Sequence, residues 1–149
     1  MTLRFRDARR ADVPAVVALL RDDALGAGRE TAGPETYLAA FDEMAADPRN
    51  RLVVGEDATG RIVATFQFTV IAGLSLRAAR RAQIESVRVA ADLRGHGIGA
   101  ALMAEAEARA RAAGCSLLQL TSNASRGRAQ AFYEQAGMVP SHIGYKKPL

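Results

Sequence analysis

Cysteine is nearly absent. Cys115 stands alone, so no disulfide can close within the chain, and one cysteine with two distant histidines, His96 and His142, offers no zinc-ligand cluster. Lysine is confined to Lys146 and Lys147, although the chain carries 20 basic residues, a formal charge of +4 and a pI near 9.8. So strong a bias to arginine, beside so much alanine, points to codon composition. The basic residues are also spread along the chain, so a nucleic-acid partner is not expected. A positive balance does suit a small polyanionic ligand. Long apolar runs are missing as well. Val13 to Leu20 contains Pro14 and falls far short of a membrane span, and nothing like a signal peptide precedes it, which predicts a soluble cytoplasmic protein without membrane contact. Internal repeats and low-complexity segments are absent.

What is present is the composition of one compact domain over 1–149, with 49% apolar and 24% charged residues. Leu3 to Arg6 alternates as a half-buried first strand does. Asp12 is placed to cap a helix running to about Arg21, and Asp22 to Gly33 reads as loop. Pro34 opens a second helix, with Tyr37, Leu38, Phe41 and Met44 on one face and Asp47-Pro48 at its end. Arg51–Glu56 and Arg61 to about Ala72 read as a hairpin through Asp57-Ala58-Thr59-Gly60. A basic loop, Gly73 to Arg81, leads into a strand from Gln83 to Ala90. A long helix follows, burying Ile98, Ala101, Leu102, Ala106 and Ala110 and stopping at Gly114. A strand from Ser116 to Thr121, a helix from Arg128 to Ala136 and one or two closing strands in Met138–Leu149 complete the expected order, β-α-α-β-β-β-α-β-α-β.

The informative stretch is Arg94-Gly95-His96-Gly97-Ile98-Gly99, between a strand and a helix. Glycines at alternate positions let successive N–H groups point at phosphate oxygens, and the helix that follows adds its N-terminal N–H groups and dipole. Arg94 is placed to add a charge-assisted bond at the rim. A P-loop is excluded because Ala100 and Ala101, not Lys and Ser/Thr, follow Gly99. Gly95, Gly97 and Ala100 fit a dinucleotide turn, but the next strand ends Leu120-Thr121-Ser122-Asn123 without the carboxylate that would hold a ribose.

Val87-Arg88-Val89, followed by the Arg94 to Gly99 loop, resembles the coenzyme A site of the GNAT superfamily of N-acetyltransferases, with its pattern Q/R-x-x-G-x-G/A. Ala129 to Met138 is similar to that family's A-x-x-F-Y-E-x-x-G-F segment, with Met138 in place of Phe. The resemblance implies a mixed α+β domain with a V-splayed sheet of six to seven strands and about four flanking helices. It further implies acetyl coenzyme A as acyl donor, an amine as acceptor, no metal, and room for a homodimer. Coenzyme contacts would come from the backbone of Val87, Arg88 and Val89, opened by a bulge, and from Arg94, Gly95, His96, Gly97, Ile98, Gly99 and Ala100. Glu85 would be the general base, directly or through water, and Tyr133 the acid at the coenzyme sulfur. Many relatives carry Asn seven residues before that tyrosine, where this chain has Arg126. Asn123 and Arg126 are thus candidate coenzyme contacts, and Tyr37 and Phe41 candidate walls of an acceptor pocket. Ser122 and Cys115 lack a nearby His partner, which disfavours a covalent route. Two rival readings are an acyl-coenzyme-binding regulatory module without turnover and an acetyltransferase or binder directed at tRNA or other nucleic acid.

Overall fold

The computed structural model describes all residues, Met1–Leu149. They form two compact units, Met1–Gln119 and Leu120–Leu149. The first holds a five-stranded mixed sheet in sequence order: β1 (Arg4–Asp7), β2 (Asn50–Glu56), β3 (Ile62–Ile71), β4 (Arg81–Val89) and β5 (Leu117–Gln119). Neighbours are antiparallel except β4 and β5, which run parallel.

The alternation of β2 and β3 sorts side chains to two faces. Val53, Phe66, Phe68, Ala82 and Ile84 are buried on one, under helix α5 (Ile98–Ala112), which contributes Ile98, Leu102, Met103, Ala106 and Ala110. Each of the fully buried Phe66, Ile84 and Leu102 contributes about 1.5–3 kcal/mol by leaving water. Ala101, expected in this core, is exposed, and Met103 takes the position instead. The opposite face carries Leu52, Val54, Thr65 and Gln67 beneath α1 (Val13–Arg21) and α3 (Pro34–Ala46).

Several local expectations are corrected. Asp12 holds the N-cap position of α1 without a cap bond from its side chain. Its carboxylate is drawn back to the Arg9 N–H (2.7 Å) and to the Arg6 guanidinium (2.7 and 3.0 Å). Ala24–Arg29, inside the expected loop, forms helix α2. Asp23 caps it by accepting from the Gly26 N–H, and a Cβ at Gly26 would collide with the Leu20 carbonyl, so a poor helix former is required there. The basic loop holds a four-residue helical turn, α4 (Ser75–Ala78), with Leu76, Arg77 and Ala78 at positive φ.

The second unit contains α6 (Gly127–Gln135), which ends at Gly137 with φ 87°. The closing strands expected after Met138 do not form, leaving five strands in place of six to seven. Pro140 and Pro148 remove ladder donors, and Val139, Ile143, Tyr145 and Leu149 are exposed. No helix is long and apolar enough to cross a membrane.

Candidate active site

In the β4–α5 turn, Gly95 and Gly97 adopt φ of 80° and 79°, values that favour glycine. A Cβ on either would meet nothing within 4 Å, so the space beside the loop is open. Gly97 is the N-cap of the 15-residue α5 and makes no side-chain cap bond. The N–H groups of Ile98, Gly99 and Ala100 therefore lack intrahelical acceptors at the positive end of the dipole. The Ile98 side chain is buried, which leaves only its backbone N–H facing the turn. His96 Nδ1 lies 3.0 Å from the Arg94 carbonyl and braces the turn. Arg94 points away from the expected role: it donates to Val89 O (3.2 Å) and Asp22 O (2.8 Å), in a corner where Asp22 also accepts from the Ala91 N–H (3.0 Å).

The strand entering this turn is irregular where the resemblance implied. Thr65 pairs with Arg88 and Gln67 with Glu85, so Ser86 and Val87 together oppose Phe66 alone. The bulge thus lies one residue before Val87–Val89. Ser86 takes φ 54°, a left-handed conformation that costs a non-glycine residue about 1–2 kcal/mol. On its other edge β4 pairs with β5 only over Arg81–Gln83. From Ile84 onward that edge has no ladder partner, which is the splay expected of the sheet. Its N–H and C=O groups can pair with an extended ligand bearing amides.

The extra residue also rephases the strand. Glu85 and Arg88, three apart, both face the side of Gln67 and Thr65. Glu85 is exposed and makes no ion pair, and two arginines of its own strand are engaged elsewhere: Arg88 Nε meets Asp23 at 3.1 Å and Arg81 donates to Gln119 at 3.2 Å.

On that face lies a cavity of about 120 Å³ between α1, α3 and the sheet. Val13, Val16, Val17 and Leu20 of α1 and Tyr37, Phe41 and Met44 of α3 form its roof, with Leu52, Thr65, Gln67 and Ser86 as its floor. No residue of α3 is buried, so Tyr37 and Phe41 are cavity walls and not closed core. Tyr37 donates to Glu30 Oε2 at 3.1 Å, and Arg21 lies 6.0 Å from the centre of its ring.

In the second unit, Tyr133 is half-buried on α6, and its ring meets that of Phe132 edge-on at 5.3 Å. Asn123 spends its side-chain oxygen on the N–H (3.0 Å) and hydroxyl (2.7 Å) of Ser125, and Arg126 is the N-cap of α6. Burial pushes the Cys115 thiol up, with Arg80 working against it, so its nucleophilic thiolate is disfavoured. Ser86, Thr65, Gln67 and the Asp22–Asp23 corner escaped sequence reasoning. Gln67 alone left a signal, as a polar residue between Phe66 and Phe68.

A model of the acetyltransferase (GNAT) family matches residues 14–138. The aminoalkylphosphonate N-acetyltransferase of Salmonella typhimurium is 39% identical over 67 residues, 45% of this chain and 44% of that protein. The chain therefore aligns with less than half of that relative's length. A crystal structure of a transcriptional regulator from Bacillus halodurans matches 99% of the chain and 100% of its own, at 38% identity and a TM-score of 0.94. Glucosamine-6-phosphate N-acetyltransferase from Arabidopsis thaliana shares the fold, with a TM-score of 0.79 over 99% of both chains at 22% identity.

Proposed function

The chain belongs to the acetyltransferase (GNAT) family, and from that premise we propose that it is an enzyme transferring the acetyl group of acetyl coenzyme A directly to a primary amine. The family match runs through both compact units, which supports treating 1–149 as one functional domain. One observation carries the reading: the open, left-handed Gly95–Gly97 turn feeds the N-terminus of α5 beside a strand edge that is unpaired from Ile84 onward. That combination suits a pyrophosphate followed by a chain of amides. The N–H groups of Ile98 to Ala100 would take the phosphates, and the backbone of Glu85–Val89 the pantetheine.

Coenzyme A supplies the acetyl group as a thioester. The amine nitrogen must first lose a proton, which for an alkylammonium of pKa about 10.4 costs about 4–5 kcal/mol at pH 7. Glu85, exposed and without an ion-pair partner, would accept that proton directly or through water. As the C–N bond forms and the C–S bond breaks, the thiolate needs a proton. Tyr133 is the proposed donor, on the strength of its place in the Phe-Tyr-Glu segment. Arg126 remains a proposed phosphate contact. Asn123, whose side-chain oxygen is committed to Ser125, would act through its backbone if at all.

A regulatory reading, in which the coenzyme is held without turnover, is favoured by the name of the Bacillus halodurans relative. Nucleic-acid binding has less charge to draw on, since seven of the 20 basic residues, Arg6, Arg10, Arg51, Arg61, Arg88, Arg94 and Arg109, are ion-paired within the chain. Thiol release from acetyl coenzyme A across a panel of amines decides between the first two. Amine-dependent release supports transfer; tight coenzyme binding with no release from any amine supports the regulatory reading.

A further inference from the structure

Resting on the acetyl-transfer reading, we infer that the cavity beneath α1 and α3 selects acceptors whose amine is borne by an uncharged apolar body, a phenyl or branched alkyl group, and rejects anionic amines such as phosphonates and sugar phosphates. Size sets the scale. An apolar cavity of roughly 150 Å³ takes up benzene, so a cavity of about 120 Å³ that is partly open to solvent holds most of one ring or a five-carbon branch.

Charge sets the class. None of the chain's 20 basic residues lines the cavity. Arg21, beside the outer wall, is turned to the carbonyls of Glu30 (2.6 Å) and Ala32 (3.5 Å). Most polar side chains present have donors committed: Thr65 donates to Val53 O (2.9 Å), Gln67 to Asn50 Oδ1 (3.0 Å) and Tyr37 to Glu30 (3.1 Å), and the Ser86 hydroxyl that completes the polar lining is neutral and gives an anion no countercharge. Glu85, directly opposite Gln67, adds negative charge on the same face. An ammonium or amine finds acceptors there, whereas a phosphonate would be desolvated against apolar walls and a carboxylate with no cation to pair it. The acceptors named for two relatives are thus poor guides to this chain, because each carries such an anion.

The test uses the whole chain with acetyl coenzyme A and reads thiol release for propylamine, isopentylamine, benzylamine, 2-aminoethylphosphonate and glucosamine 6-phosphate. From propylamine to isopentylamine kcat/KM is expected to rise about fourfold per buried methylene. Benzylamine is expected to exceed both anionic amines by at least about tenfold. In parallel, calorimetry measures benzylamine binding to wild type and to Ala40→Phe, which fills the cavity from an exposed position of α3. The variant should weaken benzylamine about tenfold or more while Tm and coenzyme affinity hold. Release with the anionic amines alone, or failure of benzylamine to bind wild type, overturns the cavity inference and leaves the transfer reading standing. Benzylamine binding that Ala40→Phe removes, with no release from any amine, overturns transfer and leaves the cavity's selectivity standing.

Discussion

Glu85 stands directly opposite Gln67 across the β3–β4 ladder, and a residue later the register breaks. A carboxylate without an ion-pair partner is thereby held on the face that also carries the apolar cavity, with Gln67 belonging to both. The proposed base and the proposed acceptor site are in this way joined by one pair of strand neighbours.

The first prediction follows from that pairing. Glu85→Gln should slow turnover most near neutral pH and progressively less as the pH nears the acceptor's own pKa, where the amine deprotonates unaided. A kcat/KM profile from pH 6 to 10 checks it. A profile that keeps its shape and merely scales down would remove Glu85 from the role of base.

Ser86 sits in the bulge at φ 54° and borders the cavity. Ser86→Gly should be neutral or stabilising, because glycine adopts that conformation freely, whereas Ser86→Val should cost about 1–2 kcal/mol more and weaken coenzyme binding as the bulge relaxes. Urea unfolding and calorimetry on the two variants measure both effects. Equal stability of the pair would mean that the left-handed residue carries no strain.

The contrast between Gly97 and Ser86 marks how far the sequence was legible. Gly95 and Gly97 announce their φ by being glycine, and the order of strands and long helices follows from apolar periodicity. Ser86 has the same hand of backbone without the residue type that signals it, because tertiary pairing to β3 and not local preference holds it there. The rephasing that brings Arg88 to the side of Glu85 was hidden with it. Helix α2 was obscured by Gly26 and Gly28; the helical place of Gly26 is set by close packing on Leu20 and by the Asp23 cap. Arg94 was legible as a cation, but its engagement with Asp22 depends on residues 72 positions apart. The strands expected after Met138 were at odds with the tail's own Pro140 and Pro148, which remove ladder donors.

Gly97→Asp is expected to weaken coenzyme binding roughly a hundredfold, about 3 kcal/mol, by setting a carboxylate against the pyrophosphate at the helix N-terminus. Gly97→Asn, of the same shape and equally tolerant of φ 79°, should cost far less. Equal losses in the two variants would make the effect steric and leave the loop without its electrostatic role.

The Arg6 guanidinium, beside Asp12 and Glu56, holds the Asp12 carboxyl below its usual range, and the Arg9 N–H helps. A carboxylate depressed in the folded state stabilises above its unfolded pKa of about 3.9, and that contribution is lost as the pH falls through the lower folded value. Asp12→Asn should thus lose about 1–3 kcal/mol at pH 7, given that both side chains of the pair are largely buried, and show a shallower fall between pH 4 and 2. Denaturant titrations at each pH test this. An unchanged acid limb would assign the acid sensitivity to other carboxylates.

Tyr133→Phe removes only a hydroxyl from a half-buried ring that packs edge-on against Phe132, so the fold of α6 should hold. If that hydroxyl protonates the departing thiolate, kcat falls while acetyl coenzyme A affinity stays nearly intact, since the lost interaction belongs to the transition state and not to binding. The leaving group limits the size of the effect. A thiolate with pKa near about 8.5 departs without much help, so the loss should lie toward the lower end of the roughly 10²–10⁴ that general acids supply. The pattern across donors then separates roles: a donor whose leaving thiol has a lower pKa should be less affected by the substitution than acetyl coenzyme A. A variant that loses coenzyme affinity and keeps its kcat would make Tyr133 a wall of the coenzyme site, with the proton coming from solvent.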